Sequence, residues 1–158
     1  MGVPKGQSVL ERFHETHLKN IPNGGHVPDA TVLVVRLQPA VVAACNLPSH
    51  RVYIKARALK HIYERHEDDF SFVTNNIWSA LKHPAQVYKN VDGKTGHRLF
   101  VRVMDNNKRF VCVVEITEVA QANQPALFIT TVFRNGRENY LKKRELLWAR
   151  QTELIKKM

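Results

Sequence analysis

What most constrains the fold of this chain is the stretch 86–134, where strand-like runs follow one another with only short polar segments between them. The run 86–90 is bounded by turn formers at 92–96, the run 98–104 by residues 105–108, and the run 109–117 by a polar loop that includes Pro125. The last run is 126–134. Connections this short suit hairpins, so the pattern predicts an antiparallel meander of three to four strands.

Helical periodicity precedes the strands. In ARALKHIYERH (56–66) a repeat of about 100° per residue places Leu59, Ile62, Tyr63 and His66 in one inward stripe and turns Arg57, Lys60 and Glu64 elsewhere. FVTNNIWSALKH (72–83) reads as a second helix stopped by Pro84, and RVYI (51–54) as a short strand. Nearer the start, 8–19 carries Val9, Leu10, Phe13 and Leu18 on an irregular helical face with Ser8 as N-cap. Pro22, Asn23, Gly24, Gly25 and Pro28 mark a linker. Residues 31–37 are β-branched and apolar, Pro39 opens a short helix through Cys45, and Pro48 with Ser49 breaks the chain again.

Residues 138–157 read as a closing helix, with Lys142, Lys143, Arg144 and Arg150 set around Leu141, Leu146, Leu147 and Trp148. That helix either tracks a phosphate backbone with its basic side or is simply solvated there. The expected class is α+β: N-terminal helices packed on a four-stranded curved antiparallel sheet, with the C-terminal helix closing it. Residues 1–50 form an accessory arm and 51–158 the main domain.

Composition narrows the partners. With 158 residues and 44% apolar content, one domain with its own core is expected. No stretch approaches the roughly 18 to 20 apolar residues of a membrane span, so a soluble chain with no membrane partner is expected. The formal charge of +10, with eight histidines counted neutral, exceeds what surface pairing consumes and points to a polyanion, nucleic acid first. The alternative is a basic surface that binds nothing.

Cys45 and Cys112 have neither disulfide density nor zinc spacing and are expected as reduced, buried thiols. The start MGVPKGQS lacks an apolar signal core, so the expected location is cytoplasmic.

His66 lies at the end of the inward stripe, where it serves either proton transfer or the capping of a helix C-terminus. His61 lies on another face near Arg57 and Arg65. A separation of five, with no HExxH pattern, gives no shared metal face, so no metal and no cofactor are expected. Alternation puts Arg98 and Arg102 on one strand face with Phe100 and Met104, either a solvated face or a phosphate-binding one. In LFITTVFR, Thr131 shares a face with Ile129 and Phe133, and Thr130 shares the other with Phe128, Val132 and Arg134.

The runs YIKARALKHIYERH, HPAQVYKN, LFVRV, FVCVVEI and ITTVFR together resemble phage-associated nuclease-like domains of the barnase, EndoU, colicin and RelE superfamily over roughly 52–141. The motifs fall on His61 and His66, on Pro84 and Val87, and on Thr131 with Phe133. The resemblance implies a toxin-like, metal-independent endoribonuclease, bacterial or phage-encoded, that acts in the cytoplasm or is delivered as a toxin.

In such a reaction a base takes the proton of the ribose 2′-OH, that oxygen attacks the adjacent phosphate, and an acid protonates the departing 5′-oxygen. The roles expected are proton transfer by His66 and then His61, charge stabilisation by Arg98 or Arg102, and from Thr131 either a hydrogen bond to a phosphate oxygen or the orientation of the histidine. Substrate contacts are expected from Arg65, Lys89, Arg134, Tyr140, Lys142 and Lys143. No clear catalytic carboxylate emerges, with Glu64 and Glu115 the two available. RNA, tRNA included, is the expected partner, with an acidic inhibitor or antitoxin protein as a second. The competing class is a non-catalytic nucleic-acid-binding module that uses the same cations.

Overall fold

In the computed structural model, the described residues are 5–22, 24–89, 97–104, 108–119, 124–135 and 144–150. The chain opens with α1 (Lys5–Phe13) and a π-helical turn (His14–Leu18), followed by β1 (Thr31–Arg36), α2 (Pro39–Ala44), β2 (Arg51–Lys55) and α3 (Ala56–Arg65). A 3-10 turn (Glu67–Asp69) leads into α4 (Phe70–Lys82). Then come β3 (Gln86–Lys89), β4 (Arg98–Val103), β5 (Arg109–Val119), β6 (Gln124–Asn135) and β7 (Glu145–Ala149). No helix among the described residues is long and apolar enough to cross a membrane.

The class is α+β, but the expected four-stranded antiparallel sheet is corrected to one of seven strands among the described residues, in the order β1-β2-β6-β5-β4-β3-β7. The sheet is mixed, because β2 runs parallel to β6 with Val52, Tyr53 and Ile54 beside Leu127, Phe128 and Ile129. This pairing joins segments more than 70 residues apart in sequence, and local periodicity carries no trace of it. Through it the β1–β2 hairpin extends the meander β3–β6.

The expected closing helix is the second correction. Glu145–Ala149 is a strand, antiparallel to β3, with Trp148 opposite Val87 and Glu145 opposite Lys89. The edge of β3 turned away from β4 offers a ladder of backbone hydrogen bonds that outweighs helical propensity in a five-residue segment. Leu147 and Trp148 also pack on the main core. Arg150, expected on a phosphate-tracking face, instead donates from its backbone to the Ala85 carbonyl and from Nε to the Pro84 carbonyl at 3.1 Å. The expected contacts Tyr140, Lys142 and Lys143 lie outside the described residues.

The main core lies between the helices and one face of the sheet. Leu59 and Ile62 of α3 and Val73, Ile77, Ala80 and Leu81 of α4 meet Val87, Phe100, Phe110, Cys112 and Val114 there. The spacing of Val73, Ile77, Ala80 and Leu81 is that of one helical stripe. Residues before position 51 supply core side chains too, with Leu10, Leu18 and Val41 almost fully buried. Tyr88, Leu99, Val101, Val111 and Val113 form a second cluster on the opposite sheet face.

Candidate functional site

The N-terminal turn of α3 positions the groups that converge on one cavity. Ala56, Ala58 and Leu59 favour helix, and the Ala56 N–H donates to the Ala30 carbonyl at 2.9 Å, which ties the start of α3 to the segment before β1. Leu59 and Ile62 are buried as expected. Lys60 is buried as well, at 5% exposure, and its ammonium is held by Glu64 one turn on. This hydrogen bond holds the Glu64 carboxyl below its ordinary value. The flank bearing Arg57 and His61 is left exposed.

A cavity of about 370 Å³ opens beside that flank, lined among others by Lys55, Arg57, His61, Glu115, Phe128 and Thr130. Glu115 and Phe128 are directly opposed in the β5–β6 ladder. They alternate with the core residues Val114, Leu127 and Ile129, so they turn away from the main core. The Lys55 ammonium sits 5.2 Å from the Phe128 ring centroid, within cation–π range. Glu115 has a second neighbour, His97, whose Nε2 is 3.8 Å from its Oε2. The site thus combines two fixed cations, an imidazole, a carboxylate and a hydroxyl.

Thr130 reaches this cavity because β6 is irregular. Val113 pairs with Thr131 while Val114 pairs with Ile129, so Thr130 is the extra residue of a β-bulge, and its hydroxyl donates to the Val113 carbonyl at 3.4 Å. The strict alternation expected along LFITTVFR fails at this point. Ile129 and Val132 both join the main core, whereas Thr131 falls in register with Val113 and Phe133 of the opposite cluster.

The other expected residues are dispersed. His66 caps α3 with Nδ1 3.7 Å from Asp69 Oδ1, and Asp69 also pairs with Arg134, whose guanidinium lies over the Phe72 ring. Arg134 is opposite the core residue Phe110, so this cluster stands on the helix side of the sheet and Thr131 on the other. His66 and Thr131 are not brought together. His61 lies on the exposed flank of α3, five residues before the non-helical cap His66.

Arg98 and Arg102 do share a face, as alternation indicates, but it is the face that meets the helices. Arg98 is buried, with Nε and Nη2 donating to the Cys45 carbonyl at 3.3 and 3.2 Å and Nη1 to the His97 carbonyl at 3.2 Å. Arg102 donates to Asn76 Oδ1 of α4 at 2.8 Å. Arg65 and Lys89 are exposed at the ends of α3 and β3 and do not line the cavity.

The structure adds Lys55, Arg57, Glu115, Phe128 and Thr130 to His61. Of these, only Glu115 stood among the sequence candidates. The signal for Arg57 was its position one helical turn before His61. The bulge and the β2–β6 pairing that bring in Thr130 and Phe128 left none.

No family model, no curated protein and no solved structure matches this chain.

Proposed function

We propose that this protein is a ribonuclease that uses the ribose 2′-OH as nucleophile and works from the cavity beside α3. The observation that carries the reading is the convergence of His61, Glu115, Arg57 and Lys55 on one 370 Å³ cleft. This is a full set of groups for that chemistry on a chain of charge +10. Glu115 takes the 2′-OH proton, the 2′-oxygen attacks phosphorus, and the bond to the 5′-oxygen breaks as His61 protonates that oxygen. Arg57 and Lys55 offset the charge that develops on the non-bridging phosphate oxygens. The products are a 2′,3′-cyclic phosphate and a free 5′-hydroxyl.

The test is incubation of the purified chain with RNA in excess EDTA, followed by end-group analysis. Cleavage with 2′,3′-cyclic phosphate ends is expected, and His61→Ala and Glu115→Gln each lower the rate by about 10²–10⁴-fold. RNA that binds but stays intact, with and without divalent metal, would replace this reading by a non-catalytic binding module.

A further inference from the structure

The segment between the N-terminal helix and β1, a linker by composition, forms the wall of a second cleft. This cleft, about 500 Å³, is bounded by His26, Asp29 and Ala30 on one side and by Lys55, Ala56 and Arg57 on the other. It adjoins the cavity at His61, because Lys55 and Arg57 line both. A third recess of about 310 Å³, between Gly25 and Glu64, shares Arg57 and His61 with the first and His26 with the second. Arg57 therefore lines all three and marks where they join.

The wall is built rather than draped. The Ala30 carbonyl accepts from the Ala56 N–H, and Gly24 and Glu64 line the same recess at the far end, where the Gly24 backbone helps hold the Glu64 carboxyl below its ordinary value. Between them the Gly25 N–H donates to the Pro22 carbonyl at 2.8 Å, in a turn entered through Gly24 at φ +79°. A Cβ on Gly25 would lie 2.9 Å from both Ile21 Cγ2 and the Pro22 oxygen, so the turn closes only around glycine.

Charge in the second cleft favours an anion. Lys55 and Arg57 outnumber the single lining carboxylate, Asp29, and His26 adds an exposed ring able to donate to an anion or to stack.

We infer that this second cleft, walled by residues 26–30 and α3, holds the neighbouring nucleotide and its phosphate on a single-stranded RNA whose scissile phosphate lies at His61. Arg57 sits between the two phosphates. This rests on the ribonuclease reading and extends it to a substrate of at least two consecutive nucleotides. A cleft of this volume lies within the roughly 300–1,000 Å³ range of ligand sites, and adjoining cationic recesses suit successive phosphates of an extended strand.

The test measures dissociation constants for 2′-O-methylated oligonucleotides of one to four residues, which bind without being cleaved, on the full chain and on His26→Glu. Affinity is expected to rise about tenfold once the second nucleotide and its phosphate are present. His26→Glu should remove most of that gain and leave mononucleotide affinity within about twofold, since the exposed His26 does not line the first cavity. Affinity that does not change with length, a gain unaffected by His26→Glu, or no measurable binding at any length overturns the proposal. Failure of the ribonuclease reading is separately visible, as unmodified RNA that binds with the same length dependence and survives intact.

Discussion

Arg98 and Cys45, 53 positions apart, are joined by two hydrogen bonds from one guanidinium to one carbonyl, and this linkage holds the end of α2 against β4. The residue is 8% exposed and three of its five guanidinium N–H groups are committed to carbonyls, which leaves little of it open to a substrate phosphate. Arg98→Ala is expected to leave the buried carbonyl without these donors and to lower stability by about 1–3 kcal/mol. Urea denaturation reads that loss. On the ribonuclease reading, RNA cleavage per folded molecule should stay within about threefold of the parent, because no transition-state contact is removed.

Thr130 and Thr131 are consecutive, but only Thr130 lines the cavity. On the ribonuclease reading, Thr130→Val is expected to lower RNA cleavage about tenfold, because the Thr130 hydroxyl turns from its 3.4 Å contact with the Val113 carbonyl to the phosphate when RNA binds. Thr131→Val should leave the rate unchanged and suit the strand, since valine is a strong β-former. The reverse ranking in a cleavage assay would move the reaction out of this cavity, to the strand surface beside Val113 that Thr131 shares.

These two residue pairs also show how far the sequence was legible. Periods of 3.6 and 2 locate α3, α4 and the strands β1 to β6, and alternation correctly groups Arg98 with Phe100 and Arg102. Alternation does not say which of two faces meets the helices. The arginines look like surface residues until Cys45 and Asn76 are seen to occupy their donors. The bulge at Thr130 depends on the register between β5 and β6, and the cleft depends on the parallel contact of β2 with β6. Both are long-range pairings with no local signature. The same holds for β7, whose strand state is set by the open edge of β3 rather than by its own ELLWA sequence.

His14 is buried against Tyr63 and Phe70, with ring centroids 3.9 and 5.0 Å away, and loss of hydration lowers its pKa from the ordinary 6.5. Glu15 opposes that shift, while Lys60 and Lys19 reinforce it. With the folded value below the unfolded one, the unfolded chain binds the proton more readily. The His14 contribution is therefore neutral above pH 6.5 and becomes destabilising as pH falls below it. Thermal unfolding across this range should show stability falling with acidity, and His14→Phe should flatten that slope between the unfolded and folded values.

Cys45 and Cys112 are both buried, and burial pushes the Cys45 thiol up to about 11 despite nearby Arg98, and the Cys112 thiol higher still. Since the thiolate is the reactive form, iodoacetamide at mildly alkaline pH should leave both unmodified in the folded protein and alkylate both in urea. Rapid labelling of Cys45 in native buffer would show that the contact between α2 and β4 opens.

His61 and Glu115 come from different elements, α3 and β5, and act on opposite ends of one proton inventory if the cleft is a ribonuclease site. Either loss then removes the concerted path and leaves charge stabilisation by Arg57 and Lys55 in place. The double variant His61→Ala with Glu115→Gln should consequently be about as slow as the slower single variant, not slower by the product of the two effects, as for groups that act as a unit. Initial rates on one short RNA, measured for the four proteins under the same EDTA conditions, give the comparison directly. Multiplicative losses would mean that the two side chains serve separate functions and that the cleavage scheme is wrong in its pairing of base with acid.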